Sequence, residues 1–71
     1  MKVCDALEFG KYIKERRKML GYTQGYVSRC TGLSVSFISD LENGKKTVEM
    51  GKAILLANLL GTDLYLEDRK F

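Results

Sequence analysis

Apolar residues recur at helical spacing in four successive blocks, each followed by a glycine: Gly21, Gly32, Gly44 and Gly61. In the first block, about residues 6–20, Phe9, Ile13, Arg17 and Leu20 share one face. The second, 24–31, turns Val27 and Thr31 inward, with Ser28 as a small neighbour. The third, 35–43, turns Ile38 and Leu41 inward, and the fourth, 48–60, turns in Met50, Ala53, Ile54, Ala57 and Leu60. Glycine just past a helix adopts the left-handed conformation at least cost. Asp5, Thr23, Ser34 and Thr47 precede the blocks as N-caps, and Glu8 completes an approximate capping box with Asp5. After Gly61 the period changes to two. Asp63-Leu64-Tyr65-Leu66-Glu67 predicts a short strand over about 63–68, with a fifth helix as the alternative. The predicted fold is all-α: one domain over 1–71, four compact helices and a short C-terminal β-strand.

The second and third blocks are too short to be stable helices alone. Joined by Thr31-Gly32-Leu33-Ser34 and held against the first and fourth, they have the proportions of a helix-turn-helix. With Ile38 and Leu41 inward, Ser36, Asp40 and Asn43 face outward and Ser39 lies at the flank. Short polar side chains reach base edges only when their helix enters a groove closely. Taken by itself, the same face reads equally as a solvated surface.

Charge sharpens this picture. The formal net charge is only +3. Yet Lys11, Lys14, Arg16, Arg17, Lys18 and Arg29 lie in 11–29 against Glu15 alone, and Lys45, Lys46 and Lys52 lie in 45–52 against Glu49 alone. Such clustering suits a phosphate backbone. Catalytic chemistry is poorly supplied. The chain has no histidine, no metal-ligand cluster, no phosphate-cradling glycine loop and no nucleophile–base pair. Neither a cofactor nor a metal is expected. Cys4 and Cys30 are far apart, and both are expected as reduced thiols in the cytoplasm, with Cys30 packed as a small hydrophobe. No run is long enough to span a membrane, and Met1–Gly10 has no apolar run of the signal-peptide kind.

The stretch Gly21-Tyr22-Thr23-Gln24, the turn Gly32-Leu33-Ser34, and Phe37 through Lys45 (Phe-Ile-Ser-Asp-Leu-Glu-Asn-Gly-Lys) together resemble the phage repressor and Cro (XRE-type) helix-turn-helix family. The likeness covers roughly residues 9–61 and implies a lambda-repressor-like fold and a transcriptional regulator of double-stranded DNA, most simply a repressor. It implies base contacts at or near Ser34, Val35, Ser36, Ser39 and Asp40. It implies backbone contacts from Gln24, Asn43 and Lys45, with Thr23 and Lys46 beside them. Gln24 would also brace the recognition helix. Gly25 leaves room for a phosphate at a helix N-terminus, or is simply tolerated there.

Arg17 lies on an apolar face, where an unpaired charge is costly. The resemblance implies a structural ion pair between Arg17 and Glu42, leaving Arg16 as the solvent-facing cation. The ending, with Lys45-Lys46-Thr47-Val48 and Gly51-Lys52-Ala53, resembles more narrowly the HipB-like branch. That likeness implies autoregulation and antitoxin binding to a HipA-type kinase toxin. The alternative is a toxin-neutralising or other protein-interaction module on a helix-turn-helix scaffold with little DNA binding.

A lone strand cannot satisfy its own backbone groups. The tail therefore predicts a homodimer that pairs two copies of Leu64–Glu67, with Leu55, Leu56, Leu59, Leu64 and Leu66 at the interface. A dimer would present two recognition helices to two operator half-sites.

Overall fold

Four helices, α1 (Ala6–Met19), α2 (Gln24–Thr31), α3 (Val35–Glu42) and α4 (Met50–Leu59), follow one another in the computed structural model, which describes residues 2–69. Three begin at side-chain caps. Asp5 Oδ1 accepts from the Glu8 N–H (2.8 Å), Thr23 Oγ1 from Tyr26 (3.0 Å) and Ser34 Oγ from Phe37 (3.0 Å). Each bond satisfies one of the orphan donors of a first turn, a contribution of about 1 kcal/mol. The fourth helix departs from expectation. Its N-cap is Glu49, without a side-chain cap bond, rather than Thr47. Val48 packs against the core instead, which keeps that stretch of chain out of the helix.

Ile13, Val27, Leu33, Ile38, Leu41, Ala53, Leu56, Ala57 and Leu60 form one core to which all four helices contribute. Full burial of each large aliphatic side chain is favourable by about 1.5–3 kcal/mol. The inward face of α4 is Ala53, Leu56, Ala57 and Leu60, at spacings of three and four. Met50 (75% exposed) and Ile54 (36%) point away, contrary to the expected face. So does Leu20 at the end of α1. Helix α4 is apolar around most of its circumference, so periodicity alone does not determine its rotation. Leu56 is accordingly fully buried in the chain's own core, which removes it from the expected dimer interface.

Two glycines let α1 lie against the end of α3. A Cβ on Gly10 would stand 2.1 Å from the Leu41 carbonyl oxygen and 2.9 Å from that of Glu42. Gly44, at φ +83°, has its Cβ position 2.8 Å from Leu7 Cα. The obstructing atoms are mainly backbone, which cannot rotate aside. Gly10→Ala is expected to destabilise the fold by about 1–3 kcal/mol, although alanine is the better helix former. A denaturant midpoint equal to or above the parent's would show that α1 does not make this approach.

Arg16 is not the free cation expected. Its Nε donates to the Leu60 carbonyl at 2.8 Å, closing the C-terminus of α4 from α1. Residues 62–69 then continue without helix or strand. A strand needs a partner for its backbone groups, and among the described residues one chain supplies none. The fifth-helix alternative is absent there too. Leu64 (47%), Tyr65 (82%) and Leu66 (102%) are exposed.

Candidate nucleic-acid interface

Helix α3 divides cleanly into two faces. Ile38, Leu41 and Glu42 are buried and Phe37 packs against the core, whereas Val35 and Ser36 are exposed and Ser39 and Asp40 half-buried. Asn43, just past the helix, continues the outward face. At the tip, the Ser34 oxygen is occupied as a cap acceptor, but its O–H remains able to donate to a phosphate or base. Thr23 has the same chemistry at the start of α2.

The outward groups are tethered mostly to one another. Asn43 Nδ2 donates to Ser39 Oγ at 3.5 Å, and Lys45 Nζ stands 3.4 Å from Asp40 Oδ2. The second contact is a surface ion pair, worth about 0–1 kcal/mol. A ligand can exchange such contacts at little cost. Lys46 is fully on the surface beside them. At the other end of the motif, the open side of Gly25 has Arg29 Nη1 3.6 Å from its Cβ position. A guanidinium thus lies over the first turn of α2, adding positive charge where free N–H groups already favour an anion.

One carboxylate fixes this surface to the rest of the fold. Arg17 Nε donates to Glu42 Oε2 at 2.6 Å and Arg17 Nη2 to Glu42 Oε1 at 2.9 Å, a bidentate pair. Arg17 Nη1 donates to the Tyr22 carbonyl (2.7 Å), and Gln24 Nε2 to Glu42 Oε1 (3.0 Å). Glu42 therefore joins α1 and α2 to the end of α3, and Arg17 adds the loop before α2 through the Tyr22 carbonyl. Hydrogen bonding to Glu42 raises the Arg17 pKa, against an opposing effect of burial. Among the described residues no buried side-chain nitrogen or oxygen lacks a partner.

Thr23, Gln24, Ser34, Val35, Ser36, Ser39, Asp40, Asn43, Lys45 and Lys46 lie on or at the ends of α2 and α3 and in the loop that follows, with Asn43 meeting Ser39 and Lys45 meeting Asp40. The leucines Leu55, Leu59, Leu64 and Leu66 lie elsewhere, exposed on α4 and the tail. The bracing expected of Gln24 corresponds to its bond to Glu42 at the end of α3, whereas the role of Gly10 was not anticipated. A helix-interior glycine costs about 1 kcal/mol, which was the available signal for Gly10. Cys30 is exposed rather than packed. It lies at the rim of a shallow groove of about 150 Å³ lined also by Tyr22, Tyr26, Val27, Thr31, Leu59 and Leu60, because α2 turns Val27, not Cys30, into the core. Among the described residues no group of three or more His, Cys, Asp or Glu is placed to hold a metal, and no helix is long and apolar enough to cross a membrane.

A family model described as helix-turn-helix matches residues 13–66. No curated protein sequence matches. Among solved structures, a HipB–O4 20mer complex superposes with a TM-score of 0.88 at 21% identity, covering 99% of each chain. A complex of a serine-to-alanine variant of HipB with an O2 20mer also gives 0.88 at 21% identity, covering 99% of this chain and 97% of that one. At this identity the likeness is one of fold, and it extends over the tail as well as the helices.

Proposed function

The chain belongs to the helix-turn-helix family, and from that membership we propose that it is a sequence-specific double-stranded DNA-binding transcriptional regulator, a repressor acting in the cytoplasm and not an enzyme. The observation that carries this is the outward face of α3. It turns Ser36, Ser39 and Asp40 away from the core, lies in sequence between the cations of 11–29 and those of 45–52, and is braced through Glu42. In this reading Ser34, Val35, Ser36, Ser39 and Asp40 meet bases, while Thr23, Gln24, Asn43, Lys45 and Lys46 meet the phosphate backbone.

Two classes of variant test the assignment on duplexes selected from random DNA. Ser36→Ala changes which sequence is preferred, each lost base contact being worth about 1–3 kcal/mol. Asp40→Ala does so too, but it also frees Lys45, so Ser36→Ala is the cleaner variant. Lys45→Ala and Lys46→Ala weaken binding to all sequences and reduce the salt slope by about one each. Uniform weakening by both classes, with no change of preference, would remove α3 from the recognition role.

The protein acts as a homodimer through Leu55, Leu59, Leu64 and Leu66, all exposed in the single chain. The narrower resemblance, together with the shared fold of HipB over the whole length, supports the role of autoregulating antitoxin to a HipA-type kinase toxin. A kinase-like gene beside this one, with a product that co-purifies with the chain, is the expected finding. Absence of both sinks the antitoxin role and leaves the regulator standing. The same exposed leucines favour the second reading, a protein-interaction module with little DNA affinity. Failure to bind mixed duplex DNA at low salt would select it.

A further inference from the structure

We propose that Val35 reads the C5-methyl group of a thymine in each operator half-site, an inference that rests on the DNA-binding reading above. Val35 is the first residue of α3 and is 45% exposed, the one apolar side chain of that helix that the core leaves in water. The fold does not explain it. It has no place in the core or among the partly buried residues packed on it, and a β-branched residue lowers helix propensity.

Its neighbours on the outward face are Ser36, Ser39 and Asp40, with Ser34 capping the helix just ahead of it. The serine hydroxyls donate or accept, so by themselves they discriminate weakly between bases. A recognition helix enters the major groove with its N-terminal residues at the base edges. The groove presents one apolar group there, the thymine methyl. A valine at this position matches that group, and it leaves a donor or acceptor unpaired opposite other bases. Val35 thus contributes a preference that the serines around it do not.

The test uses a duplex selected from random DNA and bound by the full chain. Each thymine is replaced singly by uracil, which removes the methyl and keeps every hydrogen-bonding group. One thymine per half-site is expected to lose about fourfold in affinity, the value of one buried methyl, and replacing both about fifteenfold. Val35→Ser brings the thymine-to-uracil ratio to about one, while Glu15→Gln, at an exposed position of α1 outside the interface, leaves it near four. Because Val35 is exposed and outside the core, both variants should give the parent's circular dichroism spectrum. If Val35→Ser lowers the melting temperature, Val35→Ala provides the same comparison with better helix propensity. The proposal is overturned if no thymine shows methyl dependence, or if that dependence survives replacement of Val35. If selection enriches no sequence at all, the DNA-binding reading itself fails, an outcome distinct from either.

Discussion

Replacing Arg17 by alanine is expected to destabilise the fold by about 3–5 kcal/mol, the cost of stranding one member of a buried ion pair. The Glu42 side chain is only 2% exposed, so water cannot take the place of the guanidinium. Gln24 would remain as its hydrogen-bond donor, and the Tyr22 carbonyl would lose its bond from Arg17 Nη1. Glu42→Ala strands the guanidinium in turn and costs a comparable amount. The double variant Arg17→Ala with Glu42→Ala removes both charges and is expected to lose much less than the sum of the single losses. Denaturant melts of the four proteins measure the coupling, and strict additivity would show that the two groups do not act together. The pH dependence has a defined sign. The Arg17 pKa is raised in the folded state, so its contribution is present below the unfolded value and lost only as pH rises through the folded one. Across the neutral range Arg17 itself therefore produces no change in stability. Since Glu42 ends α3, breaking the pair is also expected to loosen the helix that carries the outward polar face.

Deleting residues 63–71 is expected to abolish the dimer and lower operator affinity by about 10²-fold or more, because two linked recognition helices become two independent ones. The helical content should hardly change. The described part of this segment, 63–69, has no helix and is exposed, and none of it belongs to the core. Arg16 closes α4 at Leu60, before the deletion begins. What is lost is the strand that we expect to pair with its counterpart in a second copy. Exposed Leu55 and Leu59 on α4 would then lack the cover of the partner's tail, so weak association or aggregation can accompany the loss. Sedimentation, circular dichroism and duplex binding on the truncated chain together decide the matter. A truncated protein that stays dimeric and binds DNA as the parent does would refute the strand exchange.

Much of this molecule is written locally. The caps at Asp5, Thr23 and Ser34 and the left-handed glycines mark helix ends because their chemistry acts within three or four residues. Polar and apolar positions on α3 separate at helical spacing, which identifies its outward face before any neighbour is known. Arg17 on an apolar face announces a buried partner by its desolvation cost alone, and the family likeness pointed to Glu42. The rest depends on contacts between distant segments. Periodicity could not orient α4, since Ile54, Leu55, Leu56 and Leu59 leave no polar side to exclude; packing against the other three helices chose Leu56 for the core. Val48 could displace the cap of that helix only once there was a core to pack into. Gly10 acquired its purpose from the carbonyls of α3, and Arg16 its partner from the end of α4, each through an approach of backbones far apart in sequence. The tail shows the boundary most plainly. Its alternation of side chains is a property of the sequence, but a strand exists only where another chain segment supplies hydrogen bonds, and among the described residues of one chain none does.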